Sequence, residues 1–150
     1  MRIAIIGTSG QLGHDLARIL PQRPEGGHEV LAFSGRAELD ICDAPQFAAM
    51  LDARKPHAVI NTAAFHNVDL CEKETDAAYR TNVVAVRELA RACEARGVLF
   101  VQIGTEYGAE GNPQNHPIPE NAPVHPTSIY ALTRFGVDCM TLTHAPNFGY

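Results

Sequence analysis

Two groups of residues have the types and spacing that chemistry requires. The first is Gly7-Thr8-Ser9-Gly10-Gln11-Leu12-Gly13, a G-x-x-G-x-x-G between the apolar run Arg2–Ile6 and an amphipathic stretch. Glycines at a strand-to-helix turn permit a tight bend and let the backbone approach a pyrophosphate. The free N–H groups and positive end of the following helix then hold that anion. The second group is Tyr130 and Arg134, four residues apart at the start of a final helix and therefore on one face. A cation beside a phenol favours phenolate and lowers the phenol pKa, which suits a proton donor. As a bare pair, Tyr-x-x-x-Arg is more often an accident of a helix surface.

Other positions could complete a site. Where an acidic residue at the end of the second strand would bind the ribose hydroxyls of NAD, this chain reads Phe33-Ser34-Gly35-Arg36. The Ser34 hydroxyl and Arg36 guanidinium could instead hold a 2′-phosphate, which favours NADP(H) and keeps NAD(H) as the alternative. An ordinary surface turn with an arginine explains the same residues. Asn61-Thr62-Ala63-Ala64 follows the third strand, where small side chains let a ligand lie close to the backbone. Phe65 and His66 come next as candidates for lining a cofactor or substrate cleft, and Thr105 follows the fourth strand. The seven histidines, at 14, 28, 57, 66, 116, 125 and 144, form no H-x-x-x-H or H-E-x-x-H pattern, so no metal site is expected. Glu72-Lys73-Glu74 reads as a solvated helix face.

Strands and helices must hold these residues in place. Arg2–Ile6, His28–Phe33, Ala58–Asn61 and Val98–Ile103 are short, nearly continuous apolar runs, as in parallel strands buried on both faces. Between them lie three helical patterns. Leu12, Leu16, Ile19 and Leu20 mark one; Phe47, Met50 and Leu51 mark another, with Asp43 as N-cap and Pro45 in the first turn. A third runs from about Asp76 to Arg96, with Val83, Val86, Leu89, Ala90 and Cys93 inward and Gly97 ending it. The alternation predicts an α/β fold, a Rossmann-type doubly wound parallel sheet with its ligand site at the C-terminal strand ends. Gly104 to Thr127 is rich in proline and glycine and reads as a long irregular loop, of a length usually functional or mobile, before a helix near Ser128 or Ile129.

Composition sets outer bounds. A chain of 150 residues matches one domain with one core, and 45% hydrophobic with 19% charged residues is too apolar for disorder. A net charge of -5 without a basic run argues against nucleic acid or an anionic membrane as partner. Cys42, Cys71, Cys93 and Cys139 form no C-x-x-C pair and read as reduced thiols. With no signal-peptide pattern at Met1 and no apolar stretch of membrane length, the expected location is cytoplasmic.

Together these motifs resemble the extended branch of the short-chain dehydrogenase/reductase superfamily, and within it the dTDP-4-dehydrorhamnose reductase family. The likeness runs through the glycine motif, Glu38-Leu39-Asp40-Ile41, Pro56 to Ala64, Val68-Asp69 with Glu72, Asn82, Gly104-Thr105-Glu106-Tyr107, and Pro126 with Tyr130 and Arg134. The resemblance implies that residues 1–150 are an NAD(P)-binding domain and that the family's C-terminal substrate domain is absent. Its cofactor cleft would comprise Gly7, Gly10, Gln11, Leu12, Gly13, Ser34, Arg36, Asp40, Ile41, Ala63, Ala64, Phe65, His66, Tyr130 and Arg134. Thr105 would orient the substrate carbonyl with Glu106 beside it, and Tyr130 would donate a proton while nicotinamide delivers hydride. The implied substrate is a nucleotide-linked 4-keto-6-deoxy sugar, as in dTDP-rhamnose biosynthesis. The implied protein partner is a second copy or a complementing substrate domain.

This chain differs from the family at two of these positions. Glu106 stands where the family has aspartate, and Arg134 where it has lysine. Arginine keeps the charge and can bond ribose hydroxyls, but its planar fork sits differently from an ammonium and cannot relay a proton. A nucleotide-sugar epimerase or dehydratase, or a non-catalytic NAD(P)-binding regulatory module, would keep the same fold.

Overall fold

The protein is described by a computed structural model covering residues 1–23, 27–106 and 123–144, with side chains to Val137. Two compact units emerge, one of Met1–Ala64 with Val84–Ile103 and the other of Phe65–Val83 with Gly104–Tyr150.

The first unit is built on four parallel strands, β1 (Arg2–Ile6), β2 (Glu29–Phe33), β3 (Ala58–Asn61) and β4 (Leu99–Gln102), in spatial order β2-β1-β3-β4. Starting next to β1 and moving outward in both directions is the doubly wound order, and the predicted Rossmann-type sheet is observed. Three helices accompany it: α1 (Gln11–Ile19), α2 (Ala44–Arg54) and α5 (Val86–Glu94). Side chains alternate across a strand, so the unbroken run Ile3–Ile6 divides between two cores. Ala4 and Ile6 pack with Phe47, Met50 and Leu51 of α2 and Leu89 and Cys93 of α5, whereas Ile3 and Ile5 pack with Leu16, Ala17 and Leu20.

Helix ends follow local chemistry. Asp43 caps α2, its Oδ1 accepting from the Gln46 amide at 2.9 Å, and Lys55 closes that helix with φ 47°. Gly97 ends α5 with φ 65°, a left-handed value that glycine adopts without strain. The inner stripe of α1 differs from the expected one. Leu16 and Leu20 face inward as expected, but Leu12 and Ile19 are each 45% exposed, and Gly13 and Ala17 take their places. The cause is contact at the first turn, where a Cβ on residue 13 would lie 2.4 Å from the Gly7 carbonyl oxygen.

In the second unit α3 (Val68–Lys73) and α4 (Thr75–Tyr79) both pack against α6 (Ile129–His144), which starts where the sequence placed it. Buried Cys71, Ala78, Ala131, Thr133 and Val137 lie in this unit. The single helix expected over 76–96 is instead α4, a π-helical turn over Arg80–Ala85, and α5. A π turn inserts a residue into the helical register and commonly marks a functional position. Here it holds Thr81 and Asn82 buried, and the chain passes between the two units at Val83 and Val84. Val83, expected on the stripe with Val86 and Leu89, belongs to the second unit.

Phe47 is fully buried at the centre of the larger core. Phe47→Ala should therefore cost about 3–5 kcal/mol, the usual range for deleting a core aromatic. Urea unfolding followed by circular dichroism measures it.

Candidate active site

The glycine turn is fixed from three directions. The Gly7 and Thr8 amides both donate to the Phe33 carbonyl at the end of β2, at 2.9 and 3.1 Å. From the end of β3, the Thr62 hydroxyl donates to the Ile6 carbonyl at 2.8 Å and lies 3.2 Å from that of Gly7. From α1, Gly13 closes on the Gly7 carbonyl. The three glycines thus have different reasons to lack a side chain. Gly7 has φ 89°, and a Cβ there would meet Thr62 Oγ1 at 2.7 Å and the Ala63 nitrogen at 2.9 Å. Both Gly7 and Gly13 are required by the protein's own packing.

Gly10 is different. It is exposed, and the only atom near a Cβ there would be the Gly7 carbonyl oxygen at 3.3 Å. As N-cap of α1 it offers no side-chain cap, and Gln11 and Leu12 beyond it are also exposed. An open cradle at a helix N-terminus suits an anion such as a pyrophosphate, so the residues present fit a dinucleotide.

The end of β2 corrects the sequence reading. No acid follows Phe33 directly, but a turn closed by the Glu38 and Leu39 amides on the Gly35 carbonyl, each at 3.0 Å, brings Glu38 back to Ser34. Glu38 Oε2 accepts from the Ser34 amide at 2.7 Å and Oε1 from its hydroxyl at 2.9 Å. These bonds, the amide first and the hydroxyl second, hold the Glu38 carboxyl below the usual carboxylate range. The reading of Ser34 and Arg36 as an acid-free pair overlooked a carboxylate that arrives four residues later. Arg36, two residues before it, is exposed.

Asp40 is half-buried and braces the next turn, its Oδ1 accepting from the Cys42 amide at 2.9 Å while its own amide donates to Gln46 Oε1 at 2.7 Å. The Ile41 side chain belongs to the larger core, with Ala63 packed against that core and Ala64 half-buried. Buried Asn61 steadies the exit of β3, donating to Gln102 Oε1 at 2.8 Å and accepting from the Ala63 amide at 3.1 Å.

In the second unit, Asn82 is the organising side chain. It accepts from the Phe65 amide at 2.8 Å, and its own amide donates to the Phe65 carbonyl at 3.0 Å and to Thr133 Oγ1 at 3.1 Å. The Thr133 hydroxyl donates in turn to the Tyr130 carbonyl at 2.9 Å. Phe65 and the first turn of α6 are therefore linked through one buried asparagine. Tyr130 is half-buried and Arg134 only 4% exposed. Thr105 is half-buried in the same unit, and His66 and Glu106 are exposed.

The sequence matches the family of the RmlD substrate binding domain over residues 1–148. The chain belongs to this family. A dTDP-4-dehydrorhamnose reductase of Aggregatibacter actinomycetemcomitans is 33% identical over 145 residues, 97% of this chain and 48% of the relative. Among solved structures, a dTDP-4-dehydrorhamnose reductase of Clostridium acetobutylicum is 33% identical with a TM-score of 0.86, covering 98% of this chain and 51% of that one. The Bacillus anthracis dTDP-4-dehydrorhamnose reductase in complex with NADP is 30% identical with a TM-score of 0.84, covering 95% and 49%. The chain thus spans about half the length of these RmlD-family relatives.

Within this family fold, two residues near the candidate site take roles that sequence reasoning assigned otherwise or not at all. Glu72, read as a solvated surface residue, accepts from the Ile129 amide at 2.7 Å and helps Ser128 cap α6, the Ser128 hydroxyl accepting from the Ala131 amide at 3.1 Å. Asn82 was legible only as part of the resemblance. An asparagine inside a predicted helix is a signal, because its side chain competes with the helical backbone unless it has a tertiary partner. No described helix is long and apolar enough to cross a membrane.

Gly13→Ala tests the packing at the turn. Alanine is worth about 1 kcal/mol more than glycine inside a helix, yet its Cβ would fall 2.4 Å from backbone, so the melting temperature should drop rather than rise. The cysteines give a second test. Burial pushes the Cys93 thiol up to about 12 and raises that of Cys71. Site-resolved maleimide labelling at pH 8 should modify half-buried Cys42 before either, with Cys93 reacting only on denaturation.

Proposed function

We propose that this chain is the cofactor-binding half of an NADP(H)- or NAD(H)-dependent reductase acting on a nucleotide-linked 4-keto-6-deoxy sugar. The observation that carries this reading is the open cradle at Gly10, set on a turn whose other glycines are consumed by packing, in a chain of the RmlD family. The NADP held by the B. anthracis relative supports NADP(H) as the preferred cofactor.

In this reading the backbone amides of Gly10, Gln11 and Leu12 bind the pyrophosphate, and Asp40, Ile41, Ala63, Ala64, Phe65 and His66 line the cofactor cleft. Ser34 and Arg36 serve the adenosine ribose. Thr105 orients the substrate carbonyl, with Glu106 as a further substrate contact. A bound nicotinamide would supply hydride to the carbonyl carbon. Tyr130 delivers the proton to the carbonyl oxygen, with Arg134 one turn further along the same helix. Asn82 holds the backbone of Phe65 and, through Thr133, the turn that carries Tyr130. A cytoplasmic location suits such an enzyme, and the substrate half of the site would come from a substrate domain or a second copy.

Calorimetry tests the first step. The protein should bind NADPH, and Gly10→Val, which fills the cradle, should abolish binding while the circular dichroism spectrum stays that of the parent. Undiminished affinity in the folded variant would remove the basis of the reading. The chemical step has its own test. In any form of the protein that turns over, Tyr130→Phe should lower kcat by about 10²–10⁴-fold with NADPH affinity intact, the span usual for losing a general acid. Arg134→Lys should hold or raise activity. NADPH binding without turnover would instead support a nucleotide-binding module, the reading that arginine at position 134 favours.

A further inference from the structure

The first amides of a helix have no acceptor within it, and at α6 two of them are met by side chains. Ser128 takes the Ala131 amide with its own hydroxyl, a local cap. The Ile129 amide is taken at 2.7 Å by Glu72, from 57 residues earlier in the chain. Glu72 is an exposed residue of α3, and α3 is itself fixed to the loop before it. Asn67 Oδ1 caps that helix by accepting from the Leu70 amide at 2.9 Å, and the Cys71 thiol donates to the Phe65 carbonyl at 3.4 Å. Glu72, next to Cys71, therefore carries the position of Phe65 to the start of α6. Asn82 makes the same connection by another route, through Thr133 to the Tyr130 carbonyl. Tyr130 thus lies between two tied points, the amide of the residue before it and its own carbonyl.

We propose that Glu72 is a positioning residue for proton transfer, holding the first turn of α6 so that the Tyr130 hydroxyl keeps its aim. The inference rests on the reading of Tyr130 as proton donor and adds to it a residue that acts through that tyrosine. A proton donor works only within hydrogen-bond reach of its acceptor, and a misplacement of about 1 Å can cost about 10²-fold in rate. The phenol hydroxyl is far from its own Cα, so a small rotation of the turn displaces it more than the backbone. A carboxylate that merely capped the helix would change stability and leave the chemistry alone.

Two measurements on the full chain test this, with Glu72→Ala, Glu72→Asp and Glu72→Gln, each checked for folding by circular dichroism. In the first, 3-fluorotyrosine is placed at position 130 and its fluorine resonance is followed. The resonance should shift and broaden in Glu72→Ala and in Glu72→Asp, whose side chain is one methylene shorter. In Glu72→Gln, which keeps an acceptor at the same reach, it should stay as in the parent. In the second, kcat should fall about ten- to a hundredfold in Glu72→Ala and Glu72→Asp with NADPH affinity intact, and stay near the parent in Glu72→Gln. Combined with Tyr130→Phe, Glu72→Ala should lower the rate no further, because the residue it acts through is already disabled. An unchanged resonance in folded Glu72→Ala would overturn the proposal whether or not the chain turns over. An equal loss in Glu72→Gln, or an additive loss with Tyr130→Phe, would also overturn it, and all three results leave the dinucleotide reading standing. If Tyr130→Phe keeps the parent rate, the proton-donor reading falls and this one falls with it.

Discussion

Three elements converge on the Gly7 turn, and the architecture of the first unit depends on their meeting at backbone distance. β2 supplies the Phe33 carbonyl to two amides of the turn, the residue after β3 supplies the Thr62 hydroxyl, and α1 presses Gly13 onto the Gly7 oxygen. No side chain fits between these groups. The arrangement fixes the entry angle of α1, sets Leu16, Ala17 and Leu20 over Ile3 and Ile5, and leaves the amino end of the helix open at Gly10. An exposed, uncapped helix N-terminus thus accompanies a packing constraint. The helix starts without a cap because its first turn is held by contacts on its other side.

The second unit has a comparable centre with different chemistry. A buried amide is costly unless its donors and acceptor are satisfied, and Asn82 satisfies its own on the backbone of Phe65 and the hydroxyl of Thr133. Met in this way, the cost becomes a specific tie between a loop and the first turn of α6. The π-helical turn that contains Asn82 fits this role, since it breaks the register that one straight helix would impose. Glu72 and Ser128 then anchor the start of α6. A residue carried on that first turn, such as Tyr130, inherits its position from these bonds.

Charge at the strand end of β2 shows how a turn changes the meaning of a sequence. Ser34 and Arg36 suggest a site for a phosphate, whereas the folded turn places a carboxylate on Ser34. The distance between Ser34 and Glu38 is short in sequence, but only the Gly35 carbonyl, accepting from two successive amides, tells that the chain doubles back.

The sequence by itself determined the elements. β1 and β3 lie where the apolar runs place them, α2 begins at its capping aspartate, and α6 begins at Ile129, because these features depend on local periodicity and on residues that cap their own helix. The glycine motif was legible for the same reason, and the family could be recognised from the order of its motifs. Tertiary structure decided which glycines serve packing and which stays exposed, since each answer depends on an atom elsewhere in the chain: the Thr62 hydroxyl for Gly7, the Gly7 carbonyl at 2.4 Å for Gly13, and the same carbonyl at 3.3 Å for Gly10. It likewise decided that Leu12 faces outward, that one expected helix is interrupted at Asn82, and that Glu38 sits on Ser34 and Glu72 on Ile129. Periodicity records which side of an element is apolar, but a hydrogen-bond partner or a steric neighbour is chosen by where the chain returns.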